Sequence, residues 1–161
     1  MEISIGPQTN FSRTIFCNTS CLNIYTATPP DRMHHLDLGL FKYQITYTRE
    51  HLKTICGQAA VDDFDVRLAK IPRFPGLKLF KKGIGEIKQM TANEFRDLMK
   101  YTIFVVDGLT IKHKKRGTLN LRAERQDREL TSLFVDWNLM YLFSRKEEIS
   151  ESELEIFKVH L

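Results

Sequence analysis

From the Pro29-Pro30 pair onward, apolar residues recur three or four positions apart, the spacing that places them on one face of an α-helix. Proline suits the first turn of a helix because it lacks an amide hydrogen that would be unpaired there, and Asp31 is placed to accept from the next amides. The pattern predicts helices over 31–47, 49–60 and 61–71. In the first of these, the predicted inward face consists of Met33, Leu36, Leu40, Phe41 and Tyr43 to Gln44, and it continues through Ile45 and Tyr47. A mainly α fold is therefore expected.

Two capping boxes predict where later helices begin. Thr91-Ala-Asn-Glu94 and Ser150-Glu-Ser-Glu153 each place a hydroxyl and a carboxylate where they satisfy backbone amides of a first turn. A further helix is expected from Leu119 or Leu121 to about Phe143, and a last one over 151–161. The apolar face of the longer helix is predicted to hold Leu130, Leu133, Phe134, Trp137, Leu139, Met140 and Tyr141. Residues 72–90 hold too many Gly, Pro and Lys residues for a regular element and predict an ordered loop.

The run 102–106 is β-branched and ends at Asp107-Gly108, so it is compatible with two structures. A short buried strand ending in Asp-Gly is how many nucleotidyl-transfer enzymes present a metal-binding carboxylate. The plainer interpretation is that the helix after Thr91 continues and ends with Gly108 in the left-handed conformation. We favour the helix.

Length and composition limit the class of protein. A chain of 161 residues with 42% apolar content suits one hydrophobic core. No apolar run approaches the roughly 20 residues that span a bilayer, and no charged leader precedes an apolar stretch, so a location in the nucleus or cytoplasm and no membrane contact are expected. The three cysteines, Cys17, Cys21 and Cys56, match no common zinc spacing and are expected to be free thiols.

The densest group of candidate ligands lies at the start of the first predicted helix. Asp31 and His34 are three residues apart, as are His34 and Asp37, so each pair would share a helix face. A carboxylate could then fix the imidazole tautomer, or His34, His35 and Asp37 could bind a divalent ion. The alternative is that Asp31 caps the helix while a histidine packs at the edge of the core.

A basic segment is the candidate for contact with nucleic acid. The run from Lys112 to Arg116 is followed by arginines that share one face of the next predicted helix. The candidate phosphate-contacting residues are Lys112, Lys114, Lys115, Arg116, Arg122, Arg125 and Arg128. A solvated loop or a nuclear localisation signal would have the same composition. The sequence shows no Gly-rich phosphate loop, nucleophile elbow or catalytically spaced Cys/His pair.

The stretch 23–41, which reads NIYTATPPDRMHHLDLGLF, resembles a segment of fungal Plavaka-type transposases, relatives of the CACTA group. In that family Pro-Asp-x-x-His precedes a helix with Gly-x-Phe, and here Asp31 and His34 match the motif. The resemblance continues in order through 71–77, 80–91, 98–100 and 139–145. It covers a single helical region over about 22–161, whereas 1–21 does not match and is expected to be poorly ordered.

The resemblance implies cut-and-paste DNA transposition by an RNase H-like core, whose three acidic residues bind two divalent ions such as magnesium or manganese. It implies that this region is a helical insertion between the second and third acids, without the catalytic β-sheet core. None of the three acids has a counterpart here, so we expect a catalytically inactive, transposon-derived fragment that needs no cofactor and contacts DNA through a basic face. The alternative is a domesticated protein-interaction module with no nucleic-acid role, self-associating through exposed apolar surface.

Overall fold

The computed structural model describes residues 31–85, 87 and 89–159, and these form helices joined by loops, with a single isolated bridge between Lys81 and Gly83. A π-helical segment, Met33–Phe41, is followed by α1 (Lys42–Ile55), α2 (Gln58–Ala69), α3 (Ala92–Val106), α4 (Leu109–Lys112), α5 (Asn120–Phe143) and α6 (Glu151–Val159). The prediction of a mainly α fold is confirmed. The expectations for the N-terminal segment 1–21, Cys17 and Cys21 lie outside the described residues. None of the described helices has the length and apolar character required to cross a membrane.

The predicted helix boundaries at 47 and 60 are wrong, because helical structure runs unbroken from Met33 to Ile55 and the break falls at Gly57. Gly57 has φ 98°, a conformation that a side chain would strain. Its amide donates to the carbonyls of Leu52 and Lys53 at 3.2 and 3.0 Å, which closes the last turn of α1. A glycine that ends one helix therefore also starts the next.

The π-helical winding of Met33–Phe41 changes which residues face the core. A π-helix bonds each amide five residues back instead of four, so the inward stripe shifts relative to an α-helix. Gly39 fits this winding, since a Cβ there would lie 2.7 Å from the carbonyl oxygen of His34. Phe41 and Ile45 are buried as predicted, whereas four residues predicted to face inward are exposed: Met33, Leu40, Tyr43 and Tyr47. The remaining buried positions of the stripe are Asp37, Thr48 and Leu52.

Helix α3 is the central element of the core and packs against the π-helical segment, α2, α4 and α5. Its capping box forms as predicted: Glu94 N donates to Thr91 Oγ1 at 3.3 Å, and Thr91 N donates to Glu94 Oε2 at 2.9 Å. The helix continues to Val106, and Gly108 follows with φ 69°, so the helical interpretation of 102–106 is confirmed.

Aromatic rings join the long helices around Phe41. Its ring meets those of Phe95 and Phe134 edge to face, at centroid distances of 6.3 and 6.4 Å. Helix α5 buries Phe134 as predicted, whereas Leu133 and Leu139 on the same predicted apolar face are exposed. The core is therefore fixed by a few large rings that connect the π-helical segment, α3 and α5.

Candidate nucleic-acid interface

Asp127 on α5 positions the start of the basic loop by capping a different helix, α4. Its carboxylate accepts hydrogen bonds from Gly108 N at 2.8 Å and Thr110 N at 3.1 Å, and Thr110 Oγ1 lies 2.8 Å from Oδ1. A carboxylate at a helix N-terminus satisfies amides that have no partner within the helix. Because Asp127 is buried, the chain entering α4 is tied to α5 from inside the fold.

The next part of the loop is held to α2 through Asp63. Lys112 Nζ and His113 Nε2 lie 2.9 and 2.8 Å from Asp63 Oδ2, and Arg67 lies 3.5 Å from the same oxygen. Burial raises the pKa of Asp63, but the hydrogen bonds from Lys112 and His113 and the charge of Arg67 outweigh it and lower that pKa to about 2. Lys112, a predicted DNA contact, is therefore paired within the protein, although 58% of its side chain is exposed.

Two further loop lysines are directed at neighbouring helices. Lys115 Nζ donates to the carbonyl of Thr54 at 2.7 Å, near the C-terminal end of α1, where a cation offsets the partial negative charge of the helix. Lys114 Nζ donates to Asn120 Oδ1 in the first turn of α5. The loop is thus bonded to α1, α2 and α5.

A cavity of about 240 Å³ opens between the end of α1, this loop and the first turns of α5. It is lined by Thr54, Ile55, Cys56, Thr110, Lys114, Thr118, Arg122, Ala123 and Gln126. Two of these nine described residues, Lys114 and Arg122, carry positive charge, and none carries a carboxylate. The fold therefore brings a loop lysine and a helix arginine from the predicted basic segment to one site.

The remaining predicted contacts continue this surface along α5. Arg122 and Arg125 line a second, open depression beside Leu119 and Leu121. Arg125 Nε donates to Glu129 at 2.8 Å in an exposed pair. Arg116 in the loop and Arg128 on α5 are exposed. We name Lys114, Lys115, Arg116, Arg122, Arg125 and Arg128 the basic surface.

The Asp31-to-His34 motif and its neighbours lie at the start of the π-helical segment. Asp31, His34 and His35 are exposed, whereas Asp37 is buried and pairs with Arg96 on α3. Arg32, inside the motif, donates to the carbonyl of Ser144 at 2.8 Å, just beyond α5. In the part of the chain that the structure describes, no three His, Cys, Asp or Glu side chains are grouped to hold a metal ion.

Sequence reasoning missed two residues that organise these sites, Arg96 and Asp127. Arg96 and Asp127 act through contacts between helices, for which no local pattern exists. The position of Asp37 in the sequence was one signal that could have led to Arg96. Asp37 precedes Phe41 by four residues and so lies on the same buried stripe of the helix. A charged residue in such a stripe needs a partner, which could have prompted a search for a cation.

Comparisons with known proteins add no relative: no family model, no curated protein and no solved structure matches the chain. The similarity to Plavaka-type transposases stays a prediction, based on the Asp31 and His34 motif and the ordered segments that follow it.

Proposed function

We propose that this chain is a non-catalytic helical module that contacts duplex DNA through the basic surface. The observation that carries the proposal is the convergence of Lys114 and Arg122, eight positions apart in sequence, on one cavity with no carboxylate in its described lining. Guanidinium and ammonium groups that share one face can neutralise neighbouring phosphates and release the counterions bound there. Charge scattered evenly over a protein would not favour one side for a duplex.

We further propose that the module derives from the helical insertion of a Plavaka-type transposase. Two-metal phosphoryl transfer requires the three acids of the family, and none of them has a counterpart in this chain. Contact with DNA is the part of that activity that a basic helical module retains. Genomic sequence on either side of the reading frame tests the origin. Segments that encode the acids, together with terminal repeats, would support it, whereas an isolated intact frame would favour domestication.

DNA contact is tested by fluorescence anisotropy with a labelled duplex at low salt. A variant with Arg122→Gln, Arg125→Gln and Arg128→Gln should bind at least about tenfold more weakly, because it loses several phosphate contacts. The matched control replaces Lys70, Lys81 and Lys82 by glutamine, which removes the same charge from exposed positions in another part of the chain. Equal losses in the two variants would show that only net charge matters and would refute a defined basic surface.

A second candidate function, self-association, is favoured by an apolar stripe on the outer side of the π-helical segment and α1. Leu40, Tyr43 and Tyr47 are 57%, 57% and 64% exposed, and the two tyrosine rings stack with centroids 6.4 Å apart. Their spacing of three and four residues makes a continuous ridge suited to another helix, and we assign a second copy of this chain as its occupant. Sedimentation of the wild type and of Tyr43→Ser with Tyr47→Ser tests this. A wild type that stays monomeric at high concentration would exclude it.

A further inference from the structure

We infer that the cavity lined by Lys114 and Arg122 is a pocket for a single phosphate group of the DNA backbone. The inference rests on the proposed function and deepens it, because it identifies one point on the basic surface where a phosphate is enclosed instead of merely approached. Elsewhere on α5, Arg125 lines only the open depression beside Leu119 and Leu121, and Arg128 is exposed.

The charges around the cavity favour an oxyanion. Arg122 has no ion-pair partner among the described residues, so its guanidinium can offer two parallel N–H donors to phosphate oxygens. Lys114 contributes a second, compact charge from the loop. Thr118 and Arg122 also place the cavity at the start of the 24-residue helix α5, whose dipole attracts anions, whereas the amides of Arg122 and Ala123 already donate to the carbonyl of Leu119.

The groups that would repel an anion are partly offset. The C-terminal end of α1 reaches the cavity at Thr54, Ile55 and Cys56, and helix carbonyls at such an end are partly negative. Lys115 donates to the carbonyl of Thr54, while Gly57 donates to two carbonyls of the preceding turn. The buried carboxylate of Asp127 accepts from Gly108 and Thr110 but keeps its negative charge, which reaches the cavity wall and contributes to the raised pKa of Cys56. The charges of Lys114 and Arg122 must outweigh this field for an anion to bind.

Cys56 makes occupancy of the cavity measurable, because its side chain is part of the lining. Burial raises the pKa of this thiol, which Lys115 partly offsets, so the thiol reacts slowly but detectably with an alkylating reagent. A bound phosphate would block access and add negative charge that disfavours the thiolate. Both effects slow alkylation, so protection of Cys56 reports binding inside the cavity.

The experiment uses the full chain with Cys17→Ser and Cys21→Ser, so that iodoacetamide reports Cys56 alone. Alkylation is followed with inorganic phosphate, with a duplex oligonucleotide, and with chloride at matched ionic strength. If the occupied form is inert, phosphate at about ten times its dissociation constant should slow alkylation about tenfold. Chloride should have no such effect, and the duplex should protect as phosphate does. Arg122→Gln should abolish both protections, whereas Arg73→Gln, which removes an exposed arginine outside the basic surface, should retain them.

The outcomes separate the pocket from DNA binding as a whole. Protection by phosphate and duplex that depends on Arg122 supports the pocket. If the duplex binds by anisotropy but neither ligand protects Cys56, the pocket is refuted and the proposed function stands. If phosphate protects but no duplex binds, the pocket stands as a site for small phosphates and its assignment to the DNA backbone is refuted. Protection that persists in Arg122→Gln refutes the role given to that residue. Circular dichroism of each variant checks that it is folded.

Discussion

Arg96 on α3 donates from Nε to Oδ2 of Asp37 across 2.8 Å and so connects α3 with the π-helical segment. The Asp37 side chain is 1% exposed, and its second oxygen has no hydrogen-bond partner among the described residues. Burial, followed by the proximity of Asp37, raises the pKa of the Tyr141 hydroxyl on α5. One carboxylate thus links three helical elements, and its burial depends on the charge of Arg96.

Arg96→Met should therefore lower the free energy of unfolding. Removing one partner of a fully buried pair costs about 3–5 kcal/mol, and we expect about 2 kcal/mol here because 35% of the Arg96 side chain remains in contact with solvent. Urea denaturation measures the loss. The control is Lys100→Met on the same helix, which breaks an exposed pair with Asp97 and should cost less than about 0.5 kcal/mol. Equal losses would contradict a special role for Asp37.

Asp127→Ala should destabilise the fold and loosen the basic loop. The substitution leaves the part-buried amide of Gly108 and the buried amide of Thr110 without their acceptor, and we expect a loss of about 3 kcal/mol. Hydrogen exchange should also accelerate first in α4. Asp136→Ala, which removes only a 3.3 Å contact from Ser132, is the matched substitution on the same helix. A loss no larger than that of Asp136→Ala would show that the cap is unimportant.

The stabilisation provided by Asp63 should disappear in acid. Its pKa is lowered from 3.8 to about 2 in the folded protein, so the contribution is fully present above pH 4–5 and is lost as the pH falls through about 2. The shift alone would imply about 2.5 kcal/mol, but Lys112 is more than half exposed and solvent screens the pair, so we expect about 1 kcal/mol.

Urea denaturation of wild type and Asp63→Asn across this pH range tests the prediction. The free energies of unfolding of the two proteins should differ at pH 6 and converge near pH 2, because the wild-type carboxylate becomes protonated. Asp62→Asn, at an exposed neighbouring position, should show no such convergence. If the difference in free energy of unfolding stays constant down to pH 2, the charge of Asp63 does not contribute to stability.

Local signals in the sequence predicted the elements whose cause is local. The Thr91 capping box identified the start of α3, and apolar spacing identified α5 to within a residue at each end. Gly57 could have been found the same way, since glycine commonly ends a helix. The π-helical winding could not be predicted in this way, because the apolar spacing of this segment is typical of an α-helix. The winding shifts the side-chain register, so that Leu40 is exposed.

The residues of the basic surface could be predicted from the sequence, but the cavity between them could not. Composition identified its lysines and arginines, and the spacing of Arg122, Arg125 and Arg128 placed them on the solvent side of α5, as the structure has them. The cavity between Lys114 and Arg122 depends on Asp127 and on the end of α1, which are distant in sequence. Contacts of that kind become visible only when the helices are packed.

The salt dependence of binding to duplex DNA tests the central proposal most directly. The basic surface should make about four phosphate contacts, from Lys114, Arg116, Arg122 and Arg128. Glu129 offsets the charge of Arg125, and the C-terminal end of α1 offsets that of Lys115, whereas Lys114 has only the neutral Asn120 as its partner. The slope of the logarithm of the association constant against the logarithm of salt concentration should then be about −3.6, a loss of about 100-fold between 50 and 200 mM salt. Arg122→Gln should reduce the magnitude of that slope by about one. Binding that does not change with salt, or no binding at 50 mM salt, would contradict the proposal.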